Sequence, residues 1–242
     1  MTETGNRLRP GLLPLELASI AGIFWADAQG YVPLSKTPFL LAVAWGSMWL
    51  RGVRWRDVGL RLPPRPLRFA AIGVAAGVAM WLLEFNVTMP FLHRMLGIWP
   101  DLSVFDALVG STRLLLIYLA LNWALAAFGE EMTWRGYALP RIAQFCGSGV
   151  RAWLVALLIV NLAFGLAHLY QGPSGVVQAT VAGVLLGLLY IATGRNLLVP
   201  ILAHGVSNSI DFTMMYLGRY PGGRALSPDC SARLIRGRIR WQ

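Results

Sequence analysis

Two adjacent carboxylates and an arginine stand at the end of an apolar run of this sequence. Glu130, Glu131 and Arg135 occur in the segment FGEEMTWRG, at the end of the run LLLIYLALNWALAAFG. The chain has only 11 acidic residues among 242, and an ionisable group costs at least about 2.5 to 3.5 kcal/mol at the centre of a membrane helix. The i, i+4 spacing lets Glu131 and Arg135 pair. Because Arg135 neutralises only one carboxylate, the other needs a proton or a cation.

Two of the three histidines also lie inside apolar runs. His168 occurs in NLAFGLAHLY and His204 in PILAHGVSNSID. Phe164 precedes His168 by four positions, and Asn208 follows His204 by four, so each pair shares one face of a helix. Three apolar helices therefore each carry one polar face, which must point into a helix bundle or a wet cavity.

These side chains are suited to attack of an activated water on a carbonyl group, by either of two routes. With a divalent metal, Zn²⁺ being the first choice, Glu130, His168 and His204 would be the ligands, and a bound water of lowered pKa would attack. Without a metal, Glu130 and His168 would deprotonate the water together. His204 and Asn208 would then donate hydrogen bonds to the developing oxyanion. The residues leave both routes open.

The composition indicates that these residues are positioned by an all-α polytopic membrane bundle of about seven to eight helices. Hydrophobic residues make up 56% of the chain and charged residues 13%, against about 25% charged in soluble domains. Several apolar stretches are shorter than the ~20 residues that span a bilayer, so tilt or partial penetration must make up the difference. The stretches are Leu15–Ala26, Pro38–Leu50, Leu67–Met89, Leu114–Phe128, Trp153–Leu169, Val176–Ala192 and Leu197–Leu217.

The arginines predict the topology and disfavour nucleic acid as a partner. The net charge is +10, yet the basic residues crowd loops beside apolar runs instead of forming a polar face. By the positive-inside rule, the six arginines between positions 51 and 68 place that loop in the cytoplasm. We expect N-terminal membrane helices over 1–109, a catalytic helical core over 110–217 and a basic tail over 218–242. Seven crossings would leave that tail outside, unless the helix count differs by one or the tail lies at the interface.

Depth along each helix tests whether the polar residues can meet. At ~1.5 Å per residue, Glu130 lies about 15 Å and His204 about 12 Å from the cytoplasmic ends of their helices. His168 comes out about 24 Å deep by the same count. The three side chains can meet within the membrane, but the match in depth is imperfect.

The three motifs together resemble a known family. E-E-x-x-x-R, F-x-x-x-H and H-x-x-x-N follow one another over roughly residues 110–215. In this order they resemble the CPBP family, which contains the type II CAAX prenyl proteases and the bacteriocin-processing and self-immunity proteins, also called the ABI family. The resemblance implies a helical intramembrane endopeptidase, of a family named both metalloprotease and glutamic-type protease. The expected substrate is a peptide or membrane-protein segment near the cytoplasmic leaflet, and the expected location is the inner membrane of a bacterium.

The resemblance also implies a role for each motif residue. Glu130 and His168 would activate water. His204 and Asn208 would stabilise the oxyanion or bind a metal. Glu131 and the arginine of the first motif would support and orient the site.

Two other functions fit some of these features. A proton- or ion-coupled transporter also places carboxylates and histidines at mid-membrane, but it usually has paired repeats with broken helices, which this sequence lacks. A non-catalytic immunity or scaffold protein could keep the fold, and it would be expected to have lost at least one motif residue, whereas none is missing. The protease interpretation therefore leads.

Overall fold

The chain folds into a bundle of helices. The computed structural model describes residues 10–33, 35–147 and 149–221, and no strand occurs in that part of the chain. The predicted all-α class is confirmed, and each predicted apolar stretch coincides with a helix. From residue 222 onwards, the predicted tail lies outside the described residues. The helices are α1 Leu13–Ala28, α2 Thr37–Leu50, α3 Pro66–Leu83, α4 Met89–Leu96, α5 Thr112–Leu121, α6 Leu139–Phe145, α7 Val150–Leu166, α8 Gly172–Ala192 and α9 Leu198–Tyr216.

Wide π-helical turns join some of these segments into longer helices. The turn Glu84–Thr88 joins α3 to α4, and the turns Asn122–Glu130 and Met132–Ala138 join α5 to α6. The stretch predicted to end at Phe128 therefore belongs to a helix that continues to Phe145. π-helical turns are rare and frequently mark functional sites, and here they contain or flank the whole first motif.

Among the described residues, three helices are long and apolar enough to cross a membrane by length and composition. They are Pro66–Leu96, Thr112–Phe145 and Leu169–Ala192. The helices Thr37–Leu50 and Val150–Leu166 are apolar but shorter. This agrees with a helical membrane protein, whereas the number of crossings stays a prediction.

Helix α9 lies against α3, α5 and α8. Small residues allow its close contact with α3. A Cβ atom at Gly77 would lie 2.6 Å from the carbonyl oxygen of Ala203, and one at Gly73 would lie 2.7 Å from the Cβ of Leu202. Such small-residue contacts let membrane helices pack at short distance, and this one fixes α9 and its motif.

The connections between helices gather at two opposite ends of the bundle. At one end, the backbone N–H of Leu197, before α9, donates to the carbonyl of Gly59, before α3. At the other end, the N–H of Asp101, before α5, donates to the carbonyl of Gln171, before α8. We call the first the arginine-rich end, because the connections after α2, α6 and α8 meet there and the first of them carries five of the six arginines between positions 51 and 68.

Candidate active site

The first motif forms a buried ion pair. The Nη1 atom of Arg135 donates to Oε1 of Glu131 over 2.8 Å, and both residues are 0% exposed. Nη2 of the same arginine donates to Oδ1 of Asn161 on α7 at 3.1 Å and to the carbonyl of Gly183 on α8 at 2.9 Å. The guanidinium also lies 4.6 Å from the centre of the Phe164 ring. The predicted pairing therefore exists, and it ties the π-helical segment to two other helices.

The second histidine joins this ion pair. Nδ1 of His204 lies 2.8 Å from Oε1 of Glu131, the same oxygen that accepts from Arg135. Because an ionised carboxylate can only accept, Nδ1 carries a proton, and Nε2 is the nitrogen that does not contact Glu131. His204 is 7% exposed, so its ring orientation is held by a buried partner.

The first histidine is oriented by the backbone of its own helix. His168 stands two residues beyond the end of α7, and its Nδ1 donates to the carbonyl of Phe164 over 2.9 Å. Because a carbonyl oxygen can only accept a hydrogen bond, Nδ1 of His168 carries the proton, and Nε2 of the neutral ring is unprotonated. The Phe164 ring lies 4.8 Å from the His168 ring and stands perpendicular to that of His204 at 6.4 Å. Phe164 thus spaces the two histidines as well as packing in the core.

Four of the six predicted site residues line one cavity of about 200 Å³: Glu130, His168, His204 and Asn208. Glu131 and Arg135 do not line it and lie behind His204. The Oε2 atom of Glu130 is buried and has no hydrogen-bond partner. The adjacent glutamates therefore differ completely in surroundings, since one is held in an ion pair and the other lines the cavity. The greater depth predicted for His168 does not prevent the four residues from lining the same cavity.

The cavity lies towards the end of the bundle opposite the arginine-rich end. Its wall includes Leu102 and Phe105 from the connection between α4 and α5, Tyr170 and Gln171 from the connection before α8, and Tyr220 after α9. The N–H of Asp101 donates to the carbonyl of Gln171, and the N–H of Gly110 donates to the carbonyl of Tyr216 at the end of α9, so these segments lie at one end. By the positive-inside rule, the arginines predict that this end faces away from the cytoplasm, which disagrees with the substrate expected near the cytoplasmic leaflet, so the side from which substrate enters stays a prediction.

Two further carboxylates line the cavity. Glu84 lies at the start of the π-helical turn after α3, and Asp211 lies on α9 three positions beyond Asn208. The signal for Glu84 was available, because it too is an ionisable residue within an apolar run. It lacked a motif to link it to the histidines, and only the packing of α3 on α9 brings it to them.

The two predicted histidine ligands have the hydrogen-bond partners that are usual at a metal site, but the predicted ligands do not lie close enough together to hold an ion. Each histidine donates from Nδ1 to a carboxylate or carbonyl, which is the usual outer partner of a metal-binding imidazole. Among the described residues, however, no three side chains of histidine, cysteine, aspartate or glutamate lie close enough together to hold a metal ion. We therefore derive the mechanism from the side chains alone, and the set Glu130, His168 and His204 stays a prediction.

Comparison with known proteins finds a similar family for the core region. Residues 112–210 match the family model described as Rce1-like, "Type II CAAX prenyl endopeptidase Rce1-like". No curated protein and no solved structure gives a significant match to the chain. The matched range contains all three motifs and confirms the resemblance that they indicated, so in this region the chain is similar to a family of endopeptidases.

Proposed function

We propose that this chain, whose residues 112–210 match the type II CAAX prenyl endopeptidase family model, hydrolyses a peptide bond of a membrane-associated peptide or protein inside its helical bundle. The observation that carries the proposal is the buried carboxylate oxygen of Glu130. It has no partner, and its side chain lines the cavity that His168, His204 and Asn208 also line. A buried carboxylate oxygen without a partner is costly, and a catalytic base is a physical reason to keep one.

Glu130 serves as the general base in this mechanism. A water in the cavity gives a proton to the Glu130 carboxylate while its oxygen bonds to the carbonyl carbon of the scissile peptide, and the π electrons of that carbonyl move to its oxygen. His168 accepts a hydrogen bond from the same water at Nε2, because its Nδ1 proton is committed to the carbonyl of Phe164. When the carbon–nitrogen bond breaks, the proton held by Glu130 passes to the leaving amine.

His204 and Asn208 serve the developing oxyanion. An amide N–H of Asn208 donates directly, whereas His204 can donate from Nε2 only as an imidazolium, since Nδ1 already holds a proton. Glu131 supports that charged form through its contact with Nδ1. Arg135 fixes Glu131 in turn, so these two residues act on the reaction through His204 and are positioning residues.

The test is cleavage of membrane-anchored peptides by purified variants. Glu130→Gln and His168→Gln keep the size of each side chain, and each should lower kcat/KM by about 10²-fold or more, the usual contribution of general acid–base catalysis. The matched control is His93→Gln. The His93 ring stacks on Trp99 with centroids 4.1 Å apart and does not line the cavity, so cleavage should persist.

Undiminished cleavage by both cavity variants would remove the proposed site. Elemental analysis of the purified protein, together with activity before and after a chelator, separates a metal-bound water from a water activated by Glu130 and His168 alone. Loss of activity on chelation and its return with Zn²⁺ would favour the metal route.

A further inference from the structure

A second cavity, of about 410 Å³, lies at the arginine-rich end of the bundle. Its walls come from the end of α2, the connection between α2 and α3, helix α6, and the connection between α8 and α9. It shares no lining residue with the cavity of the candidate active site. Its charged lining residues are one carboxylate, Asp57, and five arginines: Arg51, Arg54, Arg61, Arg141 and Arg195.

Of the two deepest arginines, only Arg141 pairs with a carboxylate. Arg141 donates from Nε and Nη2 to the two oxygens of Glu16 over 3.0 and 3.2 Å, and Ser47 donates to the same carboxylate. Arg51 contacts only the carbonyl and hydroxyl oxygens of Ser47, each at 3.3 Å. Nη1 of Arg141 is buried without a partner, although the residue is only 3% exposed. Two buried guanidinium groups therefore face one compensating charge.

The three outer arginines add to this imbalance. Arg54 pairs with Asp57 over 3.2 Å, which uses the only carboxylate of the cavity wall. Arg61 donates to the carbonyl of Gly194 at 3.4 Å, and Arg195 lies 5.2 Å from the ring of Trp153. Among the described residues, neither of these two has an ion-pair partner. The cavity thus has a large excess of positive charge and of unused N–H donors.

We propose that this cavity binds the phosphate group of an anionic ligand. Arginine presents several N–H donors in a planar fork that matches phosphate oxygens, and the phosphate would supply the charge that Arg51 and Arg141 lack. Basic pockets between membrane helices bind the headgroups of anionic lipids, and a soluble phosphate offers the same chemistry. Since this cavity lies at the end opposite the active site, the bound group stabilises the bundle and takes no part in the reaction.

A substitution of Arg195 can test the proposal without destabilising the fold, because of the backbone conformation of this residue. With φ at 59°, Arg195 is the only residue other than glycine with a positive φ in the described ranges. Glycine adopts this conformation without steric cost. Arg195→Gly therefore removes a cavity cation while relaxing the backbone, so the variant should fold and its unliganded Tm should not fall.

The experiment measures Tm of the full chain in a neutral detergent at constant ionic strength. Titrants are inorganic phosphate, phosphatidylglycerol and, as the uncharged reference, phosphatidylcholine. For whichever anion raises Tm, we measure the concentration that gives half of the Tm shift. Arg61→Gln and Arg195→Gly should each raise this concentration about tenfold, because each removes one hydrogen bond to a charged group. The matched controls are Arg65→Gln and Arg68→Gln, which remove exposed charges from the same end but not from the cavity.

The titrations with different anions identify the source of the phosphate group, and their results can overturn the proposal. A shift with phosphatidylglycerol alone identifies a lipid headgroup, and a shift with inorganic phosphate as well identifies a soluble ligand. The proposal is wrong if neither anion raises Tm above the phosphatidylcholine reference. It is also wrong if the control variants weaken the response as much as the cavity variants, because that result means diffuse attraction.

Discussion

Removal of the Glu131 charge should destabilise the bundle and stop cleavage. Glu131 and Arg135 are both 0% exposed, so a Glu131→Gln variant leaves a buried guanidinium without a counter-charge. Breaking a buried pair in this way costs about 3 to 5 kcal/mol. For a chain of this size each kcal/mol lowers Tm by about 2–4 °C, so we expect a fall of roughly 6–20 °C.

The matched control is an exposed carboxylate in a similar pair. Asp57 contacts Arg54 at 3.2 Å, but the two side chains are 42% and 64% exposed. Asp57→Asn should therefore change stability by about 0–1 kcal/mol, as for surface ion pairs. A difference between the two variants isolates burial as the cause, because each removes one carboxylate charge that an arginine contacts.

A double-mutant cycle tests the reasoning further. Glu131→Leu and Arg135→Met each strand a buried charge, whereas the double variant strands none. It should be more stable than the sum of the single losses predicts, by about 1–3 kcal/mol, although Asn161 and Gly183 lose a donor. Cleavage should stay absent, because His204 loses its partner. Additive losses of stability, or an active double variant, would refute the proposed arrangement.

Two further predictions concern residues around this pair. A Gly183→Ala variant should lose about 1–3 kcal/mol of stability through overpacking, and its cleavage activity as well. The reason is that the new Cβ atom would lie 2.7 Å from Oδ1 of Asn161 and 3.3 Å from Nη2 of Arg135. Thermal unfolding measured beside a cleavage assay checks this prediction, and an unchanged Tm contradicts it. An Asn208→Ala variant should lower kcat by about 10²–10³-fold, the cost of one oxyanion donor, with little change in KM or Tm. Steady-state kinetics decide this, and a rise in KM alone would show that Asn208 binds substrate without stabilising the oxyanion.

The fold class and the local pairs follow from the sequence. Apolar runs predict the helices because a bilayer requires backbone hydrogen bonds within each segment. The i, i+4 spacing predicts that Glu131 and Arg135 meet and that His168 lies beside Phe164, and both contacts are present. These features depend on helical geometry alone, so no knowledge of tertiary contacts is needed to predict them.

The tertiary structure decides which glutamate lines the cavity and which other charges are buried. Neighbouring residues on a helix point in different directions, and only the packing of α7, α8 and α9 determines that the Glu131–Arg135 pair is buried while Glu130 lines the cavity. The same is true of Glu16 and Arg141, which spacing does not connect yet which pair across 125 positions. A buried charge needs a partner wherever the fold can supply one, and contacts between distant helices, not local periodicity, determine which partner that is.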